Sequence, residues 1–145
     1  MKNDRSIRTR VGVLALATLT HFSSLAAPPS EKRGWIGLGY QYHRAETAPA
    51  WLYVQKVTPG GPAHRAGFRP QDIITSIDGR PVPTERDVLT LFVQLVTGRN
   101  LTFTVLRQHR TLSIRVTAVP LPPDRLEIWQ RNNELLARMA KQQRQ

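Results

Sequence analysis

The sequence predicts an α+β domain, and three observations carry that assignment. Short strand-like runs recur between residues 51 and 119, and two of them, 101–106 and 112–119, alternate apolar and polar side chains about a brief turn. Two helix signals interrupt these runs, and a third, separate helical pattern follows a proline-rich stretch. Mostly antiparallel strands with inserted helices give α+β organisation.

Each element has its own local cause. Trp51–Val57 is rich in aromatic and β-branched residues, and Ile73–Ile77 is a short apolar run closed by the turn pair Asp78-Gly79. Phe103 and Val105, then Leu112, Ile114 and Val116, supply inward faces at period two. The connection Arg107-Gln108-His109-Arg110 is awkward, because a two-residue type I′ turn wants positive φ, which glutamine and histidine adopt poorly. A wider loop or a strained turn is expected there. A short helix at Pro62–Ala66 has proline at its start and Gly67 just past its end. A longer one begins at Thr84, where Thr84-Glu85-Arg86-Asp87 forms a capping-box variant, and runs to about Val96 before Gly98. On that helix Val88, Leu91, Phe92 and Leu95 share a core-facing arc, and Leu89, Val93 and Val96 widen the apolar surface to one side. Such a helix is either buried on two sides or walls a groove, and periodicity does not choose.

The flanks divide the chain into 1–26, 27–33, 34–119 and 120–145. Residues 1–26 read as a secretory signal: Lys2, Arg5, Arg8 and Arg10 precede an apolar stretch at 11–20, then small residues reach Ala26, after which cleavage is expected. The apolar stretch falls short of the ~20 residues that span a bilayer, and an uncleaved anchor is the alternative. Either reading places the remainder outside the cytoplasm, periplasmic or secreted. Residues 27–33 are a linker. After Pro120-Leu121-Pro122-Pro123, Asp124 and Glu127 sit at cap and capping-box positions of an amphipathic helix. Leu126, Trp129, Leu136 and Ala140 form its apolar face, flanked by Ile128, Leu135 and Met139; Glu127, Arg131, Glu134, Arg138 and Lys141 oppose it. That helix either packs on its own domain or docks on a partner, self-association included.

Composition removes several classes of function. With no cysteine there is no disulfide, thiolate metal site or thiol nucleophile. Ser76 and Ser113 lie in strand-like runs without a nucleophile elbow, and His43, His64 and His109 stand apart from carboxylates and from metal-ligand spacing. No catalytic residue, metal or cofactor is expected. Twenty-one basic residues against ten acidic ones give a formal charge of +11. The arginines are scattered instead of forming one stripe, so a nucleic-acid partner is not expected, although attraction to anionic envelope polymers can supplement other binding.

Three segments in order carry a family resemblance. Gly34-Trp35-Ile36-Gly37-Leu38-Gly39-Tyr40 resembles the carboxylate-binding loop of PDZ domains. Residues 58–68, Thr-Pro-Gly-Gly-Pro-Ala-His-Arg-Ala-Gly-Phe, resemble their turn and first helix, and residues 71–82, Gln-Asp-Ile-Ile-Thr-Ser-Ile-Asp-Gly-Arg-Pro-Val, the following strand pair. Order and spacing are similar to the PDZ domains of HtrA/Deg-type periplasmic proteases over residues 33–119, here without the serine-protease domain. Gln108-His109 departs from the usual Asp-Gly hairpin.

The resemblance implies a PDZ-like, partly open β-barrel or sandwich of five to six short strands with two helices, to which the C-terminal amphipathic helix is added. It implies peptide recognition by β-strand addition, usually at a free C-terminus. The carboxylate would meet the amides of Ile36, Gly37 and Leu38, and Leu38, Gly39 and Tyr40 would lead into the pairing strand. Ile36 and Leu38 would line the terminal-residue pocket, closed by Leu89 and Val93, which favours an apolar last residue. Trp35 would be a lid or a core filler, and Lys32 and Arg33 would either attract the carboxylate or remain solvated. The implied partners are C-terminal or extended peptide segments of envelope proteins, a protease or its substrates among them, with membrane contact only if the signal is uncleaved. An adaptor, regulator or scaffold follows; the alternative is an assembly or envelope-anchoring protein acting through its basic surface and C-terminal helix.

Overall fold

The structure, a computed structural model, describes residues 32–145. The expected signal, its cleavage point and most of the linker lie outside the described residues. The α+β assignment holds, as open antiparallel sheets with helices. Five strands pair in the order β2 (Leu38–His43), β3 (Trp51–Val57), β4 (Ile73–Ile77), β6 (Asn100–Arg107), β7 (Arg110–Thr117), with β5 (Arg80–Pro81) beside β4. A second, two-stranded sheet joins β1 (Gly34–Trp35) to β8 (Val119–Pro120), pairing Gly34 with Pro120 and Trp35 with Val119. The helices are α1 (Pro62–Ala66), α2 (Glu85–Val93) and α3 (Leu126–Gln142). No helix among the described residues is long and apolar enough to cross a membrane.

Period-two alternation builds the core. Leu52 and Val54 from β3, Ile74 from β4, Leu101, Phe103 and Val105 from β6, and Ile114 and Val116 from β7 are all buried. Phe68, just after α1, meets Phe103 edge to face with ring centroids 5.3 Å apart. One charge lies inside. Asp72 is 1% exposed and receives Nε and Nη2 of Arg107, each at 2.7 Å, together with the Arg69 amide at 2.9 Å. Arg107 also donates to the Gly67 carbonyl at 2.7 Å, so this ion pair clamps the end of α1 to β6.

The β6–β7 connection resolves to the strained alternative. Arg107 pairs with Arg110, and both Gln108 and His109 take positive φ, 48° and 62°, as a type I′ turn demands. Eight paired positions on each strand hold the turn to two residues against the preference of its side chains.

Thr84 caps α2 as the sequence suggests, its Oγ1 accepting from the Asp87 amide and bonding the Asp87 carboxylate. The helix stops earlier than expected, at Val93. Leu95 then turns into the core, and its carbonyl accepts the Gly34 amide at 2.7 Å. A Cβ at Gly34 would lie 2.7 Å from the Val96 backbone, so only glycine lets β1 dock on the end of α2.

The tail helix packs on its own domain. A single 3₁₀ turn, Pro123–Arg125, replaces the expected Asp124 cap; α3 has no side-chain cap, and Asp124 instead pairs with Arg125 at 3.3 Å. Leu89, Val93 and Trp129 form a second buried cluster with Leu121, Leu126, Leu136 and Met139 packed around it. The Trp129 indole donates to the Val93 carbonyl at 3.1 Å, taking up a group that the end of α2 would otherwise leave unpaired. Arg33 stacks its guanidinium 3.8 Å from the Trp129 ring, and Arg86 on α2 bonds Gln143 beyond α3. Helix α2 is therefore buried on two sides, by the sheet and by α3.

Candidate peptide-binding site

The loop between β1 and β2 is shaped by one glycine and held from outside. Gly37 takes φ +76°, and a side chain there would meet the Trp35 ring at 3.1 Å and Thr58 at 3.4 Å. The loop is anchored from outside: the Gly37 carbonyl accepts from the Thr58 amide at 2.9 Å and the Ile36 carbonyl from the Ala63 amide at 2.8 Å. The amides of Ile36 and Gly37 donate to no acceptor among the described residues. Because Gly37 faces β3, the alternation of an antiparallel ladder turns the next amide, that of Leu38, to the outer edge of β2. That edge pairs with no strand among the described residues. Unpaired backbone N–H groups gathered in one loop are the kind of donors that a carboxylate can accept from.

These amides open into a cavity of about 260 Å³. Gly34 through Tyr40 form one side, and Phe92, Val93 and Leu95 another. The tail contributes a third side: Leu121, Arg125, Ile128, Trp129 and Asn132. Lys56 and Arg125 are the charged residues of the lining, and no acidic side chain joins them. Farther along β2 the gap to α2 is bridged by Tyr40, whose ring lies 5.2 Å from that of Phe92. Burial, reinforced by the charge of Glu85, pushes the Tyr40 hydroxyl up to about 12 from 10.0.

Seven of the eight residues singled out in the sequence, Trp35, Ile36, Gly37, Leu38, Gly39, Tyr40 and Val93, line this one cavity. Leu89 does not. It is turned to the outer face of α2, where Trp129 covers it. Phe92, assigned to the core from its arc, faces the cavity in its place. Trp35 is half-buried and packs beneath the loop, within reach of both Gly37 and Gly61. Arg33 is committed to Trp129. The contribution of α3 was missed, and no local signal in the sequence announces it.

Comparison with known proteins identifies the family of the fold. The family model for the PDZ domain matches residues 34–118. The magnetosome formation protease MamE of Paramagnetospirillum magneticum is 35% identical over 69 residues, 48% of this chain and 10% of that protein. A probable periplasmic serine endoprotease, DegP-like, of Brucella suis is 28% identical over 112 residues, 72% of this chain and 22% of that protein. Among solved structures, the HtrA-type protease AlgW with a decapeptide superposes with a TM-score of 0.53 at 26% identity, over 63% of this chain and 30% of that one. The chain thus spans about a tenth to a fifth of the curated relatives it matches.

Proposed function

The chain belongs to the PDZ domain family, and from that premise we propose that it is a peptide-binding module of the cell envelope, exported from the cytoplasm, that captures the free C-terminus of a partner protein. The observation that carries this reading is the pair of acceptor-free amides, Ile36 and Gly37, at the head of a small cavity. The ligand carboxylate takes those two amides and that of Leu38. Its last side chain enters the cavity among Ile36, Leu38, Phe92 and Val93, while its backbone extends along the open edge of β2. Lys56 draws a negative terminus in, while Arg125, the other cation of the lining, is shared with Asp124. Pockets for whole drug-sized ligands run to roughly 300–1,000 Å³, so a cavity of about 260 Å³ suits one side chain rather than a folded epitope. An adaptor or regulator of envelope proteolysis fits relatives that are named as proteases.

The test is a C-terminal peptide library, followed by each selected peptide with a free and an amidated terminus. Amidation removes a charge-assisted contact and should weaken binding by about 1.5 kcal/mol, or tenfold. Equal affinity for the two forms would overturn the proposal.

A further inference from the structure

We infer that α3 is a wall of the ligand site as well as a brace, and that Ile128 reads the ligand's last side chain. The inference rests on the peptide-binding reading above and adds to it the element that sets specificity. Ile128 lines the same cavity as the loop amides and is 49% exposed. It belongs to neither buried cluster of the protein, and half of its side chain stays open. Its neighbour Trp129 is fixed by the Val93 carbonyl at 3.1 Å and by the Arg33 guanidinium, which holds the Ile128 backbone at a set position on the cavity rim. The other exposed large apolar side chain of α3, Leu135 at 48%, lies two turns away and lines no part of the cavity. An isoleucine held half-open beside an apolar socket gains burial when a large apolar side chain fills that socket. The occupant is therefore a peptide ending in a large aliphatic or aromatic residue with a free carboxylate. Arg125, in the turn just before α3, lines the same cavity while paired with Asp124 at 3.3 Å.

The experiment compares Ile128→Asp with Leu135→Asp in the full chain, using the peptides that the unaltered protein selects from a C-terminal library. Both positions are exposed, so melting temperatures should stay within a few degrees of the parent. Ile128→Asp should weaken binding at least tenfold and move the selected termini away from large apolar residues, while Leu135→Asp leaves both unchanged. Should aspartate disturb the helix, Ile128→Ala makes the same comparison, with a threefold or greater loss expected. Unaltered affinity and selection in the Ile128 variants would overturn this inference and leave the groove reading standing. A parent protein that selects no free-carboxylate peptide would overturn both. Equal losses at Ile128 and Leu135 would also overturn it, marking the two residues as an association stripe.

Discussion

Asp72 shows what a single residue can conceal. In the sequence it sits between Gln71 and Ile73, and its partner lies 35 residues away, beyond any spacing rule. The fold buries the carboxylate almost completely and supplies Arg107 and the Arg69 amide in return. Replacing Arg107 with methionine keeps much of the side-chain volume but strands a buried charge. We expect a loss of about 3 kcal/mol in urea unfolding. Tyr40 offers a second residue-scale test, this time in pH. Its hydroxyl is held neutral up to about 12 by burial first and by Glu85 second, whereas in the unfolded chain it ionises near 10. The resulting stabilisation is complete below about pH 10 and drains away as pH rises from about 10 to 12, because the unfolded chain releases its proton first. Tyr40→Phe removes the ionisable group, so the alkaline fall in the urea midpoint should be shallower than in the parent. Identical pH profiles would place Tyr40 in a more open setting.

At the scale of elements, the sequence disclosed most where one element's own pattern was sufficient. The bounds of β3, β4 and α1 agree with those expected from composition and turn residues. The loop at Gly37 was expected from the resemblance to PDZ domains, and the structure gives Gly37 the positive φ that glycine tolerates. Helix α2 was legible only in part. Its periodicity showed two apolar faces but not what covers each, and so Leu89 and Phe92 exchanged places between wall and core. For the β6–β7 turn the sequence left a wider loop and a strained one open, and strand register selects the strained one against the preferences of Gln108 and His109. The contact between α2 and α3 can be tested through Trp129. Truncation to alanine removes the indole bond to Val93 and uncovers Leu89 and Val93. It should cost about 3 kcal/mol, a fall in melting temperature on the order of 10 °C for a domain of this size. A change under 1 kcal/mol would mean that α3 rests only loosely on α2.

At the scale of the whole molecule, the elements that close the chain also complete the cavity. Residues near 35 and residues near 128 meet because β8 pairs with β1 and delivers α3 over α2, a path that no local motif specifies. That closure has a mechanical side. In the antiparallel β1–β8 ladder, the chain enters before Gly34 and leaves after Pro120 at the same end, where the Leu121 amide bonds the Arg33 carbonyl at 2.8 Å. A pull between these two exits does not shear the ladder; it unzips it, one bond at a time from that end. The first structure to yield is then the short ladder with the tail behind it, while the six-stranded sheet carries little of the load. Withdrawing α3 strips one side from the cavity, and peeling β1 shifts the loop whose amides head it. If the cavity holds a peptide as proposed, tension along the chain would loosen that hold before the core gives way, so a module tethered at both ends would let go under strain and recover its grip when slack.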